Sequence, residues 1–127
     1  MTARRVLVID DEVEFGKFVG NVARGLGLEV ELTHHASQFM AAVPRFRPHV
    51  IVMDMVMPEV DGIELIRWLT QERYRARVVA VTGYNPDYAK MAALMARAEG
   101  LLEVTTLSKP IPLVRLREAL LPTMDGD

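Results

Sequence analysis

Asp10, Asp11, Asp54, Thr82 and Lys109 are the residues of this sequence whose types and settings could do chemistry together. The first four follow short apolar runs, and Lys109 follows a stretch that contains the last strand. Val6-Leu7-Val8-Ile9 leads into Asp10-Asp11, Val50-Ile51-Val52-Met53 into Asp54, Val78-Val79-Ala80-Val81 into Thr82, and the stretch from Leu101 to Ser108 into Lys109-Pro110. Runs this short and this rich in β-branched residues read as strands buried on both faces, the kind found inside parallel sheets. Asp is poor in strands and costly to bury. Asp54 therefore either starts a turn or stands where its strand emerges into a crevice at the carboxyl edge of a sheet, where open α/β sheets hold ligands. Singly, Asp10 and Asp11 could cap a helix, Thr82 could end a strand and Lys109 could be a snorkelling surface lysine. Jointly, those readings require four coincidences.

If the strand ends converge, three carboxylates share one crevice and repel each other, so without a cation at least one would take up a proton. A hard divalent ion resolves this, and Mg2+ favours a few carboxylates plus water at roughly 2.0–2.1 Å, often with a phosphate. Thr82 and Lys109 would add a hydroxyl and a positive charge on the other side of an anion carried by Asp54. The chemistry that uses such a set is phosphoryl transfer to a carboxylate, in which positioning and charge neutralisation do most of the catalysis. A carboxylate with a reference pKa of about 3.9 needs no general base.

The elements that must position these residues alternate along the chain. After the first strand, Phe15, Phe18, Val19, Val22 and Leu26 recur at helical spacing as far as Gly27, placed to end that helix. Glu12 and Glu14 suit its first turn. Leu28 to Thr33 alternates as an edge strand would. Ser37 is placed to cap a helix carrying Phe39, Met40 and Val43, which Pro44 keeps short or kinks near its end. Asp61 can cap a third helix burying Leu65, Ile66 and Leu69. Arg73, Arg75 and Arg77 read as a solvated turn. Asn85-Pro86 opens a helix with Tyr88, Met91, Leu94 and Met95 toward the core, and Val114, Leu116, Leu120 and Leu121 supply a final short one. His34, His35 and His49 read as edge or loop residues away from the crevice.

Five strand-helix units in 127 residues leave no room for hairpins, so the fold class is α/β: a doubly wound, five-stranded parallel sheet with helices on both faces. The order 2-1-3-4-5 sets the first and third strands side by side at the reversal point, where Asp10, Asp11 and Asp54 meet. At 50% hydrophobic and 25% charged residues, the chain fits one globular domain. A formal net charge of -2 lacks the electrostatic footprint of a nucleic-acid binder. No apolar run could span a bilayer, there is no secretion signal, and zero cysteines exclude disulfides and thiolate metal sites, all of which fits the cytoplasm.

These residues resemble the receiver domains of two-component response regulators, with their flavodoxin-like fold, over essentially the whole chain. Val8-Ile9-Asp10-Asp11-Glu12 is similar to that family's acidic pair, and Met53-Asp54-Met55-Val56-Met57-Pro58 with Asp61-Gly62 is similar to its phosphoacceptor strand and loop. Val81-Thr82-Gly83 matches its hydroxyl position, and Ser108-Lys109-Pro110 its lysine and proline, joined there by a cis bond. The resemblance implies that Asp54 is the phosphoacceptor and that Asp11, Asp54 and the backbone carbonyl of Val56 bind Mg2+, with Asp10 acting through water. It implies a phosphohistidine donor on a histidine kinase or histidine phosphotransfer protein, a downstream protein target, and a homodimer face on the fourth helix, fifth strand and fifth helix.

The expected protein is a single receiver domain over residues 1–127 without an effector domain. It is not an enzyme beyond taking up and losing its own phosphoryl group, and it has no nucleic-acid or membrane partner. Its switch region is Thr82, Tyr84 and Thr106. Thr106 stands where receivers often carry an aromatic, and with Pro44 it departs from the family pattern. A pseudo-receiver docking partners without phosphorylation is the alternative. A phosphatase with an Asp nucleophile is disfavoured, since Val56 stands where its second acid would be.

Overall fold

The computed structural model describes residues 4–83, 90, 91, 93–95, 97 and 100–121. Five strands, β1 (Arg5–Ile9), β2 (Glu29–Thr33), β3 (Val50–Asp54), β4 (Ala76–Thr82) and β5 (Leu102–Ser108), form one parallel sheet in the order β2-β1-β3-β4-β5. Successive strand residues point to opposite faces, and both faces are covered. Leu7, Ile9, Ile51, Met53, Val78 and Ala80 pack with Phe39, Leu65, Ile66 and Leu69 on one side. Val6, Val8, Val50, Val52, Val79 and Val81 pack with Val19, Ala23, Leu116 and Leu120 on the other. The first helical layer is α2 (Ala36–Phe46) with α3 (Gly62–Gln71), and the second is α1 (Val13–Gly25) with the last helix, Leu113–Leu120. All residues of β3 are buried. At about 1.5–3 kcal/mol for each buried Val or Ile side chain, this strand is the anchor that holds Asp54 in place.

Several local readings change. In α1 the spacing is helical, but the face against the sheet is Gly16, Val19, Gly20 and Ala23, while Phe18 is 37% exposed. The helix lies close to β2 there: a Cβ on Gly20 would already touch the Leu32 side chain at 3.4 Å. Ser37 lies inside α2, whose N-cap is His35, with Gln38 Oε1 accepting from the His34 and His35 N–H groups at 2.9 and 3.2 Å. The longer amide reaches both free donors, so the hydroxyl is not needed. Pro44 sits in the last turn, and α2 ends at Phe46 before a left-handed Arg47 (φ 53°) whose N–H bonds Val43 O.

Arg77 belongs to β4, donating to Leu121 O at 2.8 Å, rather than to a solvated turn. Helical residues occur between β4 and β5, where Met91 and Leu94 are 59% and 67% exposed and Ala93 packs on the core instead. Val114 and Leu121 are also exposed, and Ala119 takes the buried place in the last helix. Tyr84, Asn85-Pro86 and Tyr88 lie outside the described residues.

Asp61 caps α3 as expected, its Oδ1 accepting from Glu64 N–H at 2.9 Å. Gly62 follows it, and its N–H donates to Met55 O at 2.8 Å. A Cβ at Gly62 would stand 2.9 Å from Met55 Cα and run into the Met55 sulfur. Gly62→Ala is therefore expected to cost about 1–3 kcal/mol of stability by overpacking. Gly25→Ala, with nothing within 4 Å of its Cβ, should be neutral or stabilising, because Ala suits a helix end better than Gly. Urea denaturation of both variants checks this, and an unchanged midpoint for Gly62→Ala would contradict it.

Candidate functional site

The carboxyl ends of β1, β3, β4 and β5 bring the expected residues to one crevice. Asp10 directly follows β1 and is 1% exposed, Asp54 ends β3 at 6%, and Thr82 ends β4 at 2%. Lys109 follows β5, held to β4 by its backbone N–H donating to Thr82 O at 2.9 Å, and its bond to Pro110 is cis. Carboxylate oxygens of Asp10, Glu12 and Asp54 lie within 4.8 Å of one another. The sequence assigned Glu12 only to the first turn of α1. In the structure it is the N-cap residue, and its Oε1 accepts from Lys109 Nζ at 2.5 Å. Asp11 is exposed and lines the same crevice without joining that close group.

The polar contacts fix orientation. Asp10 Oδ1 accepts from Glu12 N–H at 2.8 Å and its Oδ2 from Lys109 Nζ at 3.4 Å. Asp54 Oδ1 accepts from Val56 N–H at 3.2 Å, and its Oδ2 lies 3.9 Å from the same ammonium. Lys109 therefore bridges three acids, most tightly Glu12. Its ammonium also sits 4.4 Å from the centroid of the Phe15 ring, a cation–π contact. Phe15 escaped the sequence reading because its helical spacing assigned it to a core stripe. Its place in the first turn of α1, four positions after Asp11, was the available signal, since the start of that helix must lie at the carboxyl end of β1.

Burial raises the Asp54 carboxyl to about 7, reinforced by the charges of Asp10 and Asp11 and opposed by the Val56 N–H and Lys109. Burial also raises Asp10, against the Glu12 N–H and Lys109. Burial alone would lower the Lys109 ammonium, but its hydrogen bond to Glu12 and the charges of Asp10 and Asp54 outweigh that and raise it. The expectation of an acceptor ionised at neutral pH thus needs correction. The buried carboxylates are short of positive charge, as the repulsion argument anticipated, and the oxygen set suits a hard divalent cation.

The crevice opens into a cleft of about 1070 Å³ bordered by Phe15, Phe18, Val56, Met57 and Ile111. Val56 is 49% exposed at this mouth. Thr106 is exposed on β5, opposite Ala80 of β4. Among the histidines, His34 is not remote from the crevice: its Nδ1 lies 3.0 Å from the Asp10 carbonyl oxygen. His35 pairs with Glu59 at 2.8 Å, and His49 accepts from the Arg5 N–H.

Residues 6–121 match the response regulator receiver domain family. The chain is 32% identical over 113 residues to a response regulator receiver protein of Anaeromyxobacter sp. (strain Fw109-5), covering 89% of this chain and 45% of that protein. It is 30% identical over 115 residues to the transcriptional regulatory protein TrcR of Mycobacterium tuberculosis, covering 77% and 45%. It thus spans about half the length of the curated relatives it matches. A crystal structure of a response regulator from Colwellia psychrerythraea superposes with a TM-score of 0.79 at 28% identity, covering 94% of each chain. The chain belongs to the response regulator receiver domain family of two-component signalling.

Proposed function

We propose that this domain accepts a phosphoryl group from a phosphohistidine of a histidine kinase or histidine phosphotransfer protein onto Asp54, with Mg2+, and relays the signal by protein contact in the cytoplasm. The observation that carries this reading is the meeting of buried Asp10 and Asp54 with Lys109 at the mouth of one cleft. Among the described residues no helix is long and apolar enough to cross a membrane. A homodimer through β5 and its flanking helices is one form its output would take.

Asp54 is the nucleophile: one carboxylate oxygen forms the bond to phosphorus as the phosphorus–nitrogen bond of the donor breaks, and the leaving imidazole keeps the electron pair. Asp11, Asp54 and the Val56 carbonyl, with Asp10 in support, would hold Mg2+, which would supply charge neutralisation to the transferring oxygens. Glu12, whose oxygen stands in the same group, is a further ligand candidate. Lys109 offsets the negative charge that arrives on Asp54, and the Thr82 hydroxyl donates to a phosphoryl oxygen. Phe15 and Glu12 hold the ammonium within reach of Asp54 without neutralising that carboxylate. Thr82, Tyr84 and Thr106 form the switch region.

The raised Asp54 carboxyl gives the metal step a pH dependence. Its protonated form dominates below about 7 in the metal-free protein, so Mg2+ must displace a proton there. Apparent Mg2+ affinity should fall by up to about tenfold per pH unit below that point. The sign for stability is opposite to that of an ordinary salt-bridged Asp. Because its folded pKa is raised from 3.8, the contribution of Asp54 to metal-free stability is full below 3.8 and is lost as pH rises through about 7. Calorimetric Mg2+ titrations at both sides of neutrality check this, and equal affinities would contradict it.

The phosphorelay reading is tested by mixing the chain with radiolabelled, autophosphorylated histidine kinases. At least one should transfer label to the chain, and chelation of Mg2+ should stop it. A chain that binds kinases yet takes label from none is a docking module instead.

A further inference from the structure

Asp10 presents its carboxyl from a stretch of backbone that the sheet secures on one side only. Its N–H donates to Thr33 O at 3.2 Å, which extends the β1–β2 ladder past the end of β1. The answering bond is missing. Glu29 N–H bonds Arg4 O at 2.9 Å, and the same parallel pairing continued to Asp10 would bring its carbonyl the His35 N–H. His35 is instead the N-cap of α2, and its N–H donates to Gln38 Oε1 at 3.2 Å. Among the described residues no backbone N–H reaches Asp10 O, and a carbonyl buried without a donor is costly. The His34 side chain fills the place, its Nδ1 3.0 Å from that oxygen. A carbonyl only accepts, so Nδ1 carries the proton.

The same ring touches the start of α1. Its Cε1 faces Gly16, where a Cβ would stand 3.8 Å away, and the Gly16 N–H donates to Glu12 O at 3.1 Å. Between these two contacts lie Asp11, Glu12 and Phe15. Asp11 lines the crevice, while Glu12 and Phe15 hold the Lys109 ammonium. We propose that His34 is a positioning residue of the acid crevice: by donating to Asp10 O and bracing Gly16, it sets the turn that presents Asp10, Asp11 and Glu12 to Mg2+. This role rests on the phosphoacceptor reading of the site. It needs only the Nδ1 proton, which the ring carries in this neutral tautomer and when protonated alike, so it does not depend on the charge of His34. Metal binding is the stricter demand on this turn. Mg2+ requires a near-ideal octahedron, whereas folding requires only that the carbonyl find some donor.

The test compares His34→Leu, which fills the space of the ring without a donor, with His34→Asn, whose Nδ2 takes the place of Nδ1. Calorimetric Mg2+ titration of the full chain at alkaline pH, above the Asp54 value of about 7, gives the affinity, and urea denaturation gives the stability. His34→Leu should bind Mg2+ about tenfold more weakly, the low end of the loss that follows when a group orienting a metal's ligands is removed. His34→Asn should restore the affinity to within about threefold of wild type. His34→Ala, which admits water to the Asp10 carbonyl and so folds even if the leucine variant does not, should show the same loss. A lower urea midpoint with unchanged Mg2+ affinity in the variants without a donor would reduce His34 to a structural part and overturn the proposal, as would an asparagine variant as weak as the leucine one. Wild type that binds no Mg2+ would overturn it together with the reading it rests on. Wild type that shows this dependence on His34 but takes up no phosphoryl group from acetyl phosphate would support the positioning role and sink the phosphoacceptor reading alone.

Discussion

Lys109→Ala is expected to slow phosphoryl uptake from a small phosphodonor by about 10²–10³-fold, the usual consequence of removing one preorganised charge from a site where charge develops. Among the described residues, Lys109 is the cation recorded beside Asp54, at 3.9 Å, with Asp10 at 3.4 Å. Without it, the Asp54 carboxyl loses one of the two influences that hold its pKa down, so less of the nucleophile is ionised at neutral pH. The sign for the metal is the reverse: removing a positive charge from the acid group should tighten Mg2+ binding at alkaline pH, where Asp54 is already ionised. This split distinguishes a role for Lys109 in transfer from one in organising the site, since a collapsed site would lose both. Lys109→Arg should recover little, because a planar fork cannot occupy the place of a compact ammonium between the Phe15 ring and Glu12. Single-turnover uptake with acetyl phosphate measures the rate, and a Lys109→Ala rate within about threefold of wild type, well short of that usual loss, would remove the lysine from the mechanism.

The strands and their order were legible because their physics is local and repetitive. Val6 to Ile9, Val50 to Met53 and Val78 to Val81 are too short for helices and too apolar for an exposed face, and runs buried on both sides occur inside parallel sheets. Once the sheet is parallel, the carboxyl ends must lie together, so Asp10, Asp54, Thr82 and Lys109 could be gathered without coordinates. Helix faces were harder. In α1 the apolar residues wrap beyond a single stripe, and the close approach of the helix to β2 favours Gly16 and Gly20 inside over Phe18. Periodicity identifies such a helix but does not choose between a phenylalanine that fills a core and one that borders a cleft.

Met91, Leu94 and Val114 misled for the same reason: apolar residues at helical spacing remain exposed where no layer covers them. The grip of Glu12 on Lys109 was hidden by sequence distance, as was the reach of His34 to the Asp10 carbonyl. Both depend on which strand ends the topology brings together.

The most direct measurement of the central claim is the intact mass of the chain after incubation with acetyl phosphate and Mg2+. Asp54 is the carboxylate that ends β3, buried among the groups that would neutralise a phosphoryl group. Wild-type protein should gain one phosphoryl group that is stable in acid and lost in base, as an acyl phosphate is. Asp54→Asn keeps the shape of the side chain but has no anionic oxygen to attack phosphorus, so it should gain none while folding normally. Equal phosphoryl gain by wild type and Asp54→Asn would place the chemistry elsewhere and contradict the account.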